Sequence, residues 1–156
     1  MKITFIAHSA FLVEWDKFYT LFDYVYEPDY TGTLPPLDPQ KPLLVFSSHS
    51  HEDHFDGKVF GLLEQYPLTQ FFVSRDTRLT ERRRKWLGIS DEAFARTTVL
   101  RPDSILLTEA AGEELSVRAI KSTDIGNAYL LRAEGKMVYH GGDLNWWHWE
   151  SEGKAY

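Results

Sequence analysis

The tightest constraint on how this chain folds lies near its middle, in the run "LLVFSS" over residues 43–48. A short, unbroken apolar run marks a fully buried strand, because a strand with one wet face alternates apolar and polar residues. The preceding stretch, "DYVYEPDYTGTLPPLDPQKP" over residues 23–42, holds five of the seven prolines. Proline fixes φ and withholds a backbone donor, so this stretch predicts a long surface loop. Directly after the run comes "HSHEDHFDG", which carries three of the six histidines. The sequence thus places His49, His51, Asp53 and His54 at the mouth of a buried strand. A chain of 156 residues that is 43% apolar and 15% aromatic can bury one sizeable core, so residues 1–156 read as a single domain.

Flanking segments complete an outline. Ile3 and Phe5 alternate with polar neighbours, "FLVEW" follows, Asp16-Lys17 reads as a turn, and "FYTLFDY" resumes the aromatic and β-branched pattern of an antiparallel opening. Beyond the cluster, "DGKVFGLLEQY" predicts a short helix and "QFFVS" a strand. "DTRLTERRRKWLG" predicts a helix capped by Asp76 and stopped by Gly88. From Ser104, "ILLTE", "EELSVRAIKS", "NAYLLRA" and "KMVYHGGD" read as strands separated by glycine-containing turns. Strands, then alternating strand and helix, then strands again describe a mixed α/β layer architecture.

Composition excludes several chemistries. Without cysteine there are no disulfides, thiolate zinc sites or cysteine nucleophiles, so any metal is held by nitrogen and oxygen. The start, "MKITFIAHSAFLVEW", lacks the continuous apolar core of a secretory signal, and no run reaches membrane-spanning length. A cytoplasmic protein with no membrane partner is the expectation. A net charge of −6 argues against general nucleic-acid affinity, and no Gly-x-x-x-x-Gly-Lys phosphate loop occurs.

The cluster carries the chemistry. In an extended segment, His49, His51 and Asp53 at i, i+2 and i+4 project to one side, and a turn brings His54 beside them. One loop can therefore offer ligands to two neighbouring metals. Imidazole and carboxylate suit zinc, iron or manganese, and a catalytic site keeps one coordination position for water. The bland alternative is a solvated polar turn. That reading fits a lone histidine better than three with an interleaved aspartate behind a buried strand.

With these residues in view, "HSHEDHFDG" resembles the His-x-His-x-Asp-His signature of the metallo-β-lactamase superfamily. "FIAHSAFLVEW" and "YTLFDY" resemble that family's amino-terminal hairpin, with Asp23 at the place of a structural carboxylate. "VYHGGDLNWWHW" resembles its strand-end Gly-Asp. The resemblance implies an αββα sandwich of mixed sheets, or a version of one incomplete at its carboxyl end. It implies one or two divalent ions, zinc foremost with manganese or iron as alternatives. His49 and His51 would hold one ion, Asp53 and His54 the other, and Asp143 would bridge them. It also implies hydrolysis of an ester, lactone, amide or phosphodiester bond in a small-molecule substrate by metal-activated water, with Asp53 as the catalytic group orienting it.

Two departures from the family pattern stand out. Where relatives place a third histidine for the first site, this chain has "IKSTDIGNAY", so Asp124, or the hydroxyls of Ser122 and Thr123, would substitute. The chain also stops thirteen residues after Asp143, where relatives continue to a late histidine, so either the sequence is a fragment or His140 or His148 takes that role. His8 reads as a strand-end histidine and is left outside the ligand set. Trp146, Trp147 and Trp149 read as packing residues before a substrate pocket. Arg75, Arg78, Arg82, Arg83, Arg84 and Lys85 read as a solvated helix face before a phosphate contact. The rival functions are a non-catalytic metal-binding or assembly protein, whose uncovered sheet drives homo-oligomer formation, and an RNA phosphodiesterase using the basic stretch.

Overall fold

A computed structural model describes residues 1–144; the expectations for Trp146, Trp147, His148 and Trp149 lie outside the described residues. Two sheets carry the fold. The first has the order β1 (Lys2–Ala7), β2 (Ala10–Glu14), β3 (Tyr19–Phe22), β4 (Leu43–Ser47), β5 (Thr69–Ser74) and β6 (Thr97–Leu100). Its first three strands are antiparallel, and β3 to β6 run parallel. The second sheet is an antiparallel meander of β7 (Ser104–Ala110), β8 (Glu113–Lys121), β9 (Asn127–Ala133) and β10 (Lys136–His140). The helices α1 (Leu62–Gln65), α2 (Glu81–Trp86) and α3 (Asp91–Ala95) fall in the connections between the parallel strands.

The unbroken apolar run of β4 follows from its place between two covered faces. Leu43 and Val45 enter a core shared with Val59, Phe60, Leu62, Leu79, Ile89 and Ala93 from the helical layer. Leu44 and Phe46 face the other way, into a core with Leu115, Val117, Tyr129 and Leu131 of the second sheet. The layers are therefore helix, sheet, sheet. Among the described residues no helix follows Ala95. The two sheets are also tied at one end, where Glu134 in the β9–β10 turn accepts hydrogen bonds from the backbone N–H groups of Asp16 and Lys17.

Three expectations need correction. Asp76 does not cap the basic helix. It sits in a 3-10 turn over Arg75–Thr77, Arg78 then turns left-handed at φ 48°, and α2 begins only after Thr80, whose hydroxyl accepts from the Arg83 N–H. Tertiary structure has recruited Asp76 elsewhere, since its carboxylate accepts the Ser50 N–H at 2.8 Å. Second, the proline-rich stretch is irregular, but its first residues Asp23, Tyr24 and Val25 are buried. Third, α3 and β6 form in a stretch left without elements in the sequence reading. No helix among the described residues is long and apolar enough to cross a membrane.

Candidate metal site

The site lies where the parallel strands end. After β4 the backbone leaves the sheet through Ser48 and His49, and the His51 carbonyl accepts from both His54 N–H (3.0 Å) and Phe55 N–H (2.8 Å). That turn brings His54 back under His49, with ring centroids 4.1 Å apart. The Ser50 N–H bond to Asp76 pins the middle of the segment. Both His49 and His54 are fully buried, whereas the His51 side chain is half exposed.

One buried node fixes the two inner imidazoles. Asp23, at φ 46° just after β3, accepts the Ser48 N–H on one oxygen at 2.7 Å. Its other oxygen takes the Ser48 hydroxyl at 2.7 Å, His54 Nδ1 at 2.8 Å and His140 Nε2 at 2.7 Å. Because the Ser48 hydroxyl donates to Asp23, its oxygen is left to accept the Nδ1–H of His49, 2.9 Å away. Both inner histidines are thereby set with the proton on Nδ1 and the lone pair on Nε2. This is the tautomer a metal requires, held by the kind of outer partner that orients metal-bound imidazoles. Burial alone would raise the Asp23 carboxyl, but the adjacent imidazoles of His140 and His54 outweigh it and hold the group below the usual carboxylate range. Burial lowers the His49 imidazole, and the neighbouring His54 lowers it further. For His54, burial acts in the same direction but is outweighed by its hydrogen bond to Asp23, which raises it.

Around the Nε2 atoms of the two inner imidazoles the chain gathers distant residues. Asp143, three residues past the end of β10, places one oxygen 3.7 Å from His49 Nε2 and the other 3.3 Å from His54 Nε2. His49 Nε2 also lies 2.9 Å from His51 Nδ1, which is 3.6 Å from Asp124 in the β8–β9 loop. The ligating atoms of His49, His51, Asp124 and Asp143 fall within 4.8 Å of one another, as do those of His8, Asp53 and His54. Asp53 lies 3.4 Å from His54 Nε2 through the same oxygen that meets His8.

Two glycines permit this convergence. A Cβ on Gly142 would stand 2.8 Å from the Ser48 side chain, and one on Gly126 2.3 Å from the Ser48 carbonyl oxygen. Both residues also have positive φ, at 52° and 75°. Small residues here let the strand-end loops carrying Asp143 and Asp124 close onto the segment after β4. Ser122 has another task, since its hydroxyl accepts the Asp124 N–H at 3.3 Å.

All six residues singled out in the sequence, His49, His51, Asp53, His54, Asp124 and Asp143, meet at this mouth. His140 does not join them, because its Nε2 is spent on Asp23 and its ring stacks on Phe22 at 4.7 Å. His8, set aside in the sequence, does join them; only the 45-residue jump to Asp53 reveals it. The basic stretch disperses, with Arg84 paired to Glu81 and Asp91 and Lys85 to Glu81.

Fold and donor set together describe a sandwich with a histidine- and carboxylate-lined mouth, and residues 2–153 match the family model described as the Beta-lactamase superfamily domain. The chain belongs to that family. It is 29% identical over 153 residues to a UPF0173 metal-dependent hydrolase of Opitutus terrae, across 92% of this chain but 63% of that protein. The chain thus spans less than two thirds of that relative's length. Among solved structures it is similar to Igni18, a metallo hydrolase of Ignicoccus hospitalis, with TM-score 0.59 and 22% identity over 90% of this chain and 59% of that one. It also resembles a possible metal-dependent hydrolase of Veillonella parvula, with TM-score 0.54 and 16% identity over 92% of this chain and 63% of that one.

Proposed function

We propose that this chain provides the metal-binding site of a hydrolase, in which His49, His51 and Asp124 hold one divalent ion, Asp53 and His54 hold a second, and Asp143 is shared. The observation that carries this reading is the pair of buried imidazoles with Nδ1 tied down and Nε2 turned toward opposite oxygens of one carboxylate. Among the described residues His54 Nε2 finds no hydrogen-bond partner although it is fully buried. An unpaired buried polar atom costs about 1–3 kcal/mol, and a cation beside it removes that cost. Nitrogen and carboxylate donors suit zinc first, then manganese or iron.

When bound, such ions supply a Lewis acid and bring the pKa of a coordinated water from about 15.7 to near 7. The chain's own residues do the rest. Asp53, partly exposed at the mouth, is placed to accept the proton of the attacking water, and the half-exposed His51 and Asp143 border the space a small-molecule substrate enters. The helical layer and second sheet keep His49 and His54 dry, which strengthens their pull on charge.

Metal content of the purified protein, combined with a panel of esters, lactones, amides and bis-aryl phosphates, tests the reading. Bound metal with turnover supports it; metal without turnover supports a binding protein. Replacing His49 by alanine should remove the ion of its own position and activity together. Asp53→Asn should keep at least one metal and lose turnover, since the amide coordinates weakly through oxygen but accepts no proton. Equal and complete metal loss in both would remove the separate role given to Asp53.

A further inference from the structure

We propose that His8, on the turn between β1 and β2, is itself a ligand of the second metal position, completing a His8, Asp53 and His54 set. This rests on the reading above that Asp53 and His54 hold an ion.

The geometry begins in the hairpin. Pairing runs in register from Lys2 with Glu14 to Phe5 with Phe11, shifts between Phe5 and Ala7, and resumes with Ala7 opposite Ala10. Irregularities of this kind re-aim the side chains that follow them. The next residue, His8, takes a left-handed backbone at φ 48°, a conformation that non-glycine residues adopt at a cost. Its ring turns inward, 5.6 Å from the ring of His54 and 5.0 Å from that of Tyr30 in the proline-rich loop. His8 Nε2 reaches Asp53 at 3.0 Å.

The second observation is the orphan at the other corner. His54 Nε2 is buried, has no hydrogen-bond partner among the described residues, and faces the same Asp53 oxygen at 3.4 Å. Three ligating atoms from three side chains thus lie within 4.8 Å of one another. Two of those side chains come from the loop after β4, and the third arrives from the first hairpin. His8 remains 39% exposed on its side chain. This position therefore opens to solvent at His8.

The test uses cobalt(II) alone, titrated into the metal-stripped full chain while stoichiometry and visible absorbance are followed. Wild type should take up two equivalents. His8→Asn keeps a residue tolerant of the left-handed turn, and His8→Gly vacates the ligand position altogether; both should bind one equivalent tightly, with the second weakened by at least about tenfold. Millimolar free imidazole should restore the second equivalent to His8→Gly, because the position is open enough to admit it. Urea midpoints of the stripped variants matching wild type show that the fold is intact. Two equivalents of unchanged affinity in both variants, or a loss that imidazole does not reverse, would overturn the role of His8 and leave the metal site standing. A wild-type chain that binds no cobalt would overturn the metal reading itself.

Discussion

Replacing Asp23 by asparagine asks whether the metal site is set from beneath. One Asp23 oxygen accepts the Ser48 N–H, and the other accepts from Ser48 Oγ, His54 Nδ1 and His140 Nε2, all within 2.8 Å. Asparagine has the same shape but one acceptor oxygen, and that oxygen can retain the Ser48 N–H. Its NH2 then faces three former donors. At least one hydrogen bond to a charged acceptor is lost without replacement, at about 1.5–3 kcal/mol, so destabilisation of roughly 3 kcal/mol is expected. The larger consequence is chemical. To accept from the new NH2, His54 must move its proton from Nδ1 to Nε2, where it points at Asp53 and Asp143 and blocks coordination. Loss of such an outer partner weakens metal binding about 10–100-fold. Urea unfolding of the stripped protein reads the first effect, and competition against a chromophoric zinc chelator reads the second. Zinc affinity within about threefold of wild type, in a protein destabilised as expected, would refute the tautomer argument.

Other expectations follow from the same geometry. His54 is raised above its unfolded value of 6.5, so its contribution to the stability of the stripped protein is full below that pH and lost as pH rises through the folded value. Metal affinity runs the other way, weakening as pH falls through that value, and urea midpoints beside zinc titrations over about pH 5 to 9 read both slopes. Gly142→Ala places a Cβ 2.8 Å from the Ser48 side chain at φ 52°; a cost of about 2–4 kcal/mol and weaker binding of both metals are expected, by unfolding midpoint and chelator competition. On the outer face of the second sheet, Ile105 and Leu107 of β7 and Met137 and Tyr139 of β10 are exposed at the two edges, joined in register through Arg118 and Leu130 and through Ser116 and Arg132. Self-association through this face is expected to fall in a Leu107→Lys, Met137→Lys variant by light scattering, and an unchanged mass would place any contact elsewhere.

What could be read from the sequence, and what could not, divides along sequence distance. The run of β4 was legible because covering both faces of a strand leaves no polar position, and the ligands from His49 to His54 were legible because one loop carries them. Alternation in β1 identified the strand but not its burial. Ile3 and Phe5 lie on the solvent side of an edge strand, where the Phe5 ring meets that of Phe11 at 5.3 Å. Asp76 looked like a cap because its local context fits one; its carboxylate instead serves Ser50, 26 residues away. The short α3, capped by Ser90, and β6, with "TTVL" largely wet, carry patterns too brief to separate from loop. His8 was illegible for a related reason. A single histidine acquires meaning only when a fold brings a carboxylate and a second imidazole to it.

The two metal positions share one support, and Ser48 is where it can be split. Its hydroxyl donates to Asp23 and accepts from His49 Nδ1. Replacing it by alanine removes the acceptor of a fully buried N–H, an arrangement that costs about 1–3 kcal/mol if nothing moves. The proton has an escape, because His49 Nε2 lies 2.9 Å from His51 Nδ1, which can accept it. That shift closes the Nε2 lone pair to a metal. His54 gives up a longer contact of its Nδ1 with Ser48 Oγ at 3.4 Å but keeps its bond to Asp23 at 2.8 Å. Ser48→Ala should therefore weaken the position of His49, His51 and Asp124 while sparing that of His8, Asp53 and His54, the mirror image of the His8 variants. Cobalt titrations that show both positions weakened equally would mean that Ser48 acts through the backbone of the segment after β4, and not through the tautomer of His49.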